Sequence, residues 1–140
     1  MKIRILVCAV FCFISSLSWA EEDSRQWVKM PEMMQAHMLG SMRQHLETIN
    51  LILLQLSSGE LDKAADTAEQ NLGMSSLDKH GAEHLAKFMP EQMRETGTSM
   101  HRAASRFALK AQEGDMLPAY AALQEITSAC VACHAGYRIR

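Results

Sequence analysis

Near the end of this chain Tyr120, Leu123, Thr127, Cys130, His134 and Tyr137 recur at alternating three- and four-residue steps. That is the seam of a helix packed against other helices. It runs straight into Cys130-Val131-Ala132-Cys133-His134, so the fold has to put two thiols and an imidazole against its own interior. C-x-x-C-H is the attachment signature for c-type haem. Two thiols three positions apart lie about one helical turn from each other, so each can form a thioether to one vinyl group of a single porphyrin. The adjoining histidine then supplies an imidazole nitrogen beneath the iron. Two plainer readings fit less well. A thioredoxin-like dithiol opens a helix after a strand, whereas this pair closes one with no strand before it. A structural zinc needs more Cys or His at paired spacing, and the other two cysteines, Cys8 and Cys12, stand far away at the N-terminal end.

That N-terminal end reads as a secretory signal peptide over residues 1–20. Lys2 and Arg4 form a basic start, Ile5 to Ile14 an apolar stretch, and Ser18-Trp19-Ala20 a small-x-small cleavage site before Glu21-Glu22-Asp23. The apolar run is too short for a transmembrane anchor. Cleavage removes Cys8 and Cys12 and leaves only the two motif cysteines. Attachment of c-type haem follows export, so the expected location is a bacterial periplasm.

The mature part, residues 21–140, has the size of one domain. Removing Lys2 and Arg4 takes the formal charge from -2 to -4, 12 basic against 16 acidic residues. Mild acidity of this kind argues against nucleic acid as a partner. No apolar stretch after Ala20 is long enough to span a membrane. Aromatic residues are few, and ten methionines beyond Met1 fill part of the interior in their place.

Everything after Pro31 has a helical pattern, which places the chain in the all-α class. The first helix is expected from about Pro31 to Leu56, with Met34, Met38, Met42, His45, Ile49, Leu53 and Leu56 on its buried face. A shorter, alanine-rich second helix runs from about Glu60 to Leu72 and stops at Gly73. One short helix is expected around Gly81 to Phe88, closed by Pro90. The third long helix covers about Glu91 to Gln112, with Met93, Met100, Ala104, Phe107 and Ala111 inward, and Gly97 marking the approach of another group. Gly114-Asp115 turns the chain into the last helix, with Asp115 as N-cap. Short first and last connections and a longer middle crossover predict an antiparallel four-helix bundle whose C-terminal helix carries the haem attachment.

With Cys130, Cys133 and His134 near the C-terminus, followed by Tyr137 and Arg138, the chain resembles the cytochrome c prime family and its methionine-ligated low-spin relatives. The resemblance spans Pro31 to Arg140; its specific part is the C-terminal motif. Ordinary small cytochromes c carry the motif near the N-terminus. The resemblance implies one covalent haem c, thioethers at Cys130 and Cys133, His134 as proximal ligand, and Tyr137 and Arg138 packed near the haem edge. It also implies that the first helix supplies a residue to the distal face. In five-coordinate members that residue is an apolar blocker, and in low-spin relatives it is a methionine bound to iron. Many members have an arginine one turn before it; here the comparable places hold Met34 or Gln35. Homodimers through the first two helices are common in the family.

Met38, Met42 and His45 lie within about 60 degrees of each other around a helix, so any of them can face a porphyrin. The plain reading of a methionine row is core filler. The functional reading makes Met42, then Met38, the sixth ligand, since a thioether favours ferrous iron and raises the potential. Leu39 would instead leave the iron five-coordinate, and His45 would give a bis-histidine haem. A second Met/His-rich region holds His80, His84 and His101 with Met89, Met93 and Met100. His80 and His84 have one-turn spacing that can chelate a metal, and the mixture of donors suits copper. The plainer reading puts His80 in a loop and His84 in a half-buried turn. Arg102 and Arg106 are one turn apart and could meet haem propionates, or simply face solvent.

The function expected from these residues is single-electron transfer by a periplasmic monohaem cytochrome, with periplasmic redox proteins as partners. Two alternatives use the same residues: a five-coordinate haem protein that binds NO or CO, and a Met/His-rich bundle that handles copper. No nucleophile-base pair, paired carboxylates or phosphate-binding glycine loop stands out, which argues against an enzyme.

Overall fold

Proline sets the entry to both of the longest helices. Pro31 and Pro90 each have φ near -55° and ψ near 150°, the extended geometry that leads into a first turn, where the missing N–H costs nothing. The computed structural model describes residues 22–140; the signal-peptide reading, with Cys8 and Cys12, falls outside them. Five helices follow in order: α1 (Glu32–Ser57), α2 (Leu61–Asn71), α3 (Ala82–Ala86), α4 (Glu91–Gln112) and α5 (Met116–Gly136), with a 3-10 turn at Met74–Ser76 before α3. Two short strands, β1 (Gln26–Trp27) and β2 (Tyr137–Arg138), pair in parallel, Gln26 opposite Tyr137 and Trp27 opposite Arg138. None of the helices is long and apolar enough to cross a membrane.

The protein is all-α apart from this strand pair. Helix α4 begins and ends where the sequence pattern put it, and α1 and α2 differ from their expected bounds by about a residue. Helix α3 is shorter than expected. Gly81 stands before it at φ 59°, a left-handed conformation that blocks helix at that point and suits glycine. A Cβ there would also meet the His37 ring at 3.2 Å, and His37 Nε2 donates to the His80 carbonyl at 2.8 Å. The turn ending at Gly81 is thereby tied to α1.

Helix α4 is the centre of the packing, with α5 and α2 against it and α1 against α2. The main core gathers around Phe107, fully buried, with Ile52 and Leu56 from α1, Leu72 after α2, and Leu123 and Ile126 from α5. Burying a side chain like Phe107 contributes about 2–3 kcal/mol. Small residues let the backbones close in: Ala64, Ala65 and Ala68 of α2 face Ala104, Ala108 and Ala111 of α4 in the same cluster. On α4 the inward residues Met93, Met100, Ala104, Phe107 and Ala111 are all buried, as the pattern required.

Two faces differ from expectation. On α5 the buried residues are Ala119, Ala122, Leu123 and Ile126, while Tyr120 is 41% exposed and His134 is exposed. The interface of α5 pairs two alanines with Leu123 and Ile126; of the expected seam Leu123 is buried, Thr127, Cys130 and Tyr137 are half-buried, and Tyr120 and His134 lie outside it. On α1 the buried line is Met38, Ser41, His45, Ile52 and Leu56, with Met42 and Leu53 at its exposed edge.

Asp115 caps α5 as expected, its carboxylate accepting from the Leu117 N–H at 3.2 Å. Loss of that acceptor leaves a first-turn donor without its partner. Asp115→Ala is expected to cost about 1 kcal/mol, read as a lower urea midpoint at unchanged slope.

Candidate functional site

A second, smaller core lies apart from the Phe107 cluster and explains how the C-terminal motif is held. Val28, Met30, Met38, Leu85 and Met93 are buried together, with Cys133, Tyr137 and Ile139 packed against them. The strand pair brings this about. Val28 N–H donates to the Arg138 carbonyl at 2.8 Å, extending the β1–β2 pairing by one bond. Successive strand residues point to opposite faces, so Tyr137 and Ile139 turn toward the cluster and Arg138 turns away.

Beside this cluster opens a cavity of about 250 Å³, predominantly apolar. From α5 and β2 it is lined by Cys133, His134 and Tyr137. From α1 come Met38, Leu39, Met42 and His45, which are the four residues singled out for a distal role. From α4 come Met93, Gly97, Met100 and His101, and His80 arrives from the turn before Gly81. The two Met/His-rich regions, separate in sequence, meet on one cavity.

Cys130 and Cys133 are free thiols, both half-buried. Cys130 packs against the main core and Cys133 against the smaller one. Burial pushes both thiols above the usual cysteine range, so they are poor nucleophiles as they stand. Arg138 does not line the cavity. Its Nε is 3.5 Å from the Asp23 carboxylate but makes no hydrogen bond.

Of the two arginines considered for propionates, Arg106 is paired with Glu125 at 2.6 Å, and Arg102 lines a separate polar recess with Glu91 and Arg94. The guanidinium on the cavity wall is that of Arg25. Two hydrogen bonds, of 2.9 and 2.8 Å, join it to Asp23, and they hold the Asp23 carboxyl down at about 2. Nothing in the sequence marked Arg25, because its place depends on the pairing of β1 with β2.

Three imidazoles cluster on the cavity. The ring centroids of His45 and His80 are 4.7 Å apart, those of His80 and His101 5.8 Å, and those of His45 and His101 6.0 Å. His80 Nε2 donates to the Asn71 carbonyl at 3.0 Å, and His101 Nδ1 donates to the Leu72 carbonyl at 2.7 Å. His45 Nε2 is buried with no partner. Burial, with smaller contributions from His80 and His101, lowers His45 to about 4. Burial also lowers His101, against the pull of its bond to the Leu72 carbonyl. His84 takes no part: it is exposed on α3 and does not line the cavity. Among the described residues no group of three or more His, Cys, Asp or Glu side chains is already set in metal-holding geometry.

The residues suit a haem on three counts. The cavity lining offers one thiol, Cys133, the adjoining imidazole of His134 and two thioethers from α1, while Cys130, one turn back on α5, packs against the main core outside that lining. The walls are apolar apart from a few placed polar groups, as in cofactor sites generally. At Gly97 a Cβ would meet nothing within 4 Å, so the cavity wall is open at that point. Searches for relatives found no matching family model, curated protein or solved structure.

Proposed function

We propose that the protein is a periplasmic monohaem c-type cytochrome that transfers single electrons, with its long helices forming an antiparallel four-helix bundle of the cytochrome c prime kind. The observation that carries this reading is the shared cavity: Cys133 and His134 border the same space as Met38, Leu39, Met42 and His45. Cys130 and Cys133 would hold the group covalently, and His134 would be its proximal ligand. When bound, haem supplies a one-electron iron couple, and the protein sets its potential through ligation and burial. The residues of this chain exclude water from one side through Met38, Leu85 and Met93, all buried. Arg25 reaches the cavity wall within its ion pair with Asp23. The signal-peptide pattern of residues 1–20 supports export.

Burial favours Met38 over Met42 as distal ligand, reversing their order in the sequence reading. Met38 is 7% exposed inside the smaller core, and Met42 is 36% exposed at the rim. Leu39, apolar and also on the cavity, favours the second reading, a five-coordinate protein that binds NO or CO.

Intact-mass analysis and an optical spectrum of protein made with the c-type maturation machinery test both readings. A covalent adduct and a low-spin ferric spectrum, converted to high spin by Met38→Ala and unchanged by Met42→Ala, is the expected result. High spin in the unsubstituted protein, with rapid CO binding when reduced, selects the second reading. A protein of bare polypeptide mass sinks both.

A further inference from the structure

We propose that His45, His80 and His101 form a second site, which binds one divalent transition-metal ion of the zinc or copper class. The proposal stands on the side chains themselves and does not depend on the haem reading. The three imidazoles come from three places in the chain, α1, the turn before Gly81 and α4, and none comes from the helix that carries the thiols. They meet although no hydrogen bond joins one to another: each bond they make goes to a backbone carbonyl.

Those carbonyl bonds fix the protons. A carbonyl only accepts, so His80 carries its proton on Nε2 and His101 carries its proton on Nδ1. In the neutral rings the remaining nitrogens, His80 Nδ1 and His101 Nε2, hold free lone pairs. Metal-binding histidines are held in the same way, the second nitrogen donating to a carbonyl or carboxylate. The independent observation is His45. It is 9% exposed, lines the cavity, and its Nε2 is buried without a partner, a desolvation cost that a bound ion would offset.

Three neutral imidazoles leave a fourth position open toward the cavity, as in zinc sites that also bind a small ligand. The thioethers of Met42 and Met100 line the same space and add soft donors that suit copper. Around a metal at about 2.1 Å from each nitrogen, ring centroids lie roughly 5 Å apart. His45 and His80 stand at about that spacing, 4.7 Å, with their rings nearly perpendicular. His101 stands wider, at 5.8 and 6.0 Å, so binding has to draw it in by about 1 Å.

The test uses the full exported protein, stripped with chelator and titrated with zinc chloride by calorimetry, with bound metal counted after dialysis. Zinc is redox-silent, so its binding is read without a change of oxidation state. One zinc per chain with Kd of about 1 μM or tighter is expected. His80→Ala and His101→Ala should each weaken it by more than the roughly 10–100-fold typical of losing an outer partner, and exposed His84→Ala should leave it unchanged. His45→Gln, which keeps size and polarity, provides the α1 arm if His45→Ala does not fold. Copper(II) should compete and bind more tightly. No stoichiometric zinc, or zinc that survives His80→Ala, overturns the proposal. So does zinc lost in Cys133→Ser, which would put the ion on unmodified thiols. Haem content, measured on the same samples, reports separately on the cytochrome reading.

Discussion

Changing Cys130 and Cys133 together to serine is expected to yield colourless protein of bare polypeptide mass. A serine hydroxyl does not form the thioether, and one axial imidazole from His134 is a weak hold on its own. The fold should survive the change. Both thiols are only half-buried, on a helix whose packing rests on Ala119, Ala122, Leu123 and Ile126, so placing two hydroxyls there costs about 1–3 kcal/mol each at most. Helical circular dichroism should therefore remain while the haem absorption disappears, which separates loss of attachment from loss of structure. Single variants distinguish the two positions. Cys133 packs in the smaller core beside the cavity, whereas Cys130 packs against the Phe107 core. Each single variant should keep one thioether, so the haem it carries should resist acid extraction while a smaller share of the protein carries any. His134→Ala should keep the covalent adduct but change its spectrum. Covalent haem persisting in the double variant would refute the assignment of these residues.

Helix α4 was legible because Met93, Met100, Ala104, Phe107 and Ala111 stand out against a polar remainder, and because Pro90 and Gly114 punctuate its ends. Helix α1 was legible as a helix and only partly as a face: Met38, His45 and Leu56 are buried and Met34 and Ile49 half-buried, but Met42 and Leu53 are exposed. Leu46 and Leu54 are 71% and 60% exposed, so apolar residues run all round it, and Ser41 is buried where a hydrophobic residue would be expected. Helix α5 misled in part for the opposite reason: half of its buried face, Ala119 and Ala122, is alanine, which carries little pattern. The C-x-x-C-H motif of Cys130, Cys133 and His134 could be read locally because its residues are contiguous, and the haem proposed for it is tested by the variants above. The histidine cluster could not, because His45, His80 and His101 are brought together by the packing of α1, α4 and the turn between them. The one-turn spacing of His80 and His84 suggested a pair, and Gly81 breaks the helix on which that pair depended. The β1–β2 pairing was equally hidden. Two residues are too few to alternate visibly, and their partners lie at the other end of the chain.

Metal-free protein is expected to lose stability as the pH falls from about 6.5 toward 4, and His45 accounts for the largest share. Its ordinary value is 6.5, and in the folded protein it is lowered to about 4, chiefly by burial. Between those values the unfolded chain binds a proton that the folded one refuses, so acid favours unfolding. The stabilisation is complete above the unfolded value and gone below the folded one. The linkage amounts to about 2 kcal/mol at pH 5 and about 3 kcal/mol at pH 4 and below. His101 is shifted in the same direction and adds to it. The carboxylates of Asp23 and Glu69 are held below their ordinary values, largely by hydrogen bonds. Their contributions disappear only where carboxylates protonate, so the interval from pH 6.5 to 5 isolates the imidazoles. Urea midpoints measured across that interval should fall steadily in the unsubstituted protein. His45→Leu, with no group to titrate, should flatten most of the decline. An undiminished slope in that variant would mean that His45 Nε2 is solvated or paired, which would also remove the vacant nitrogen on which the zinc site depends.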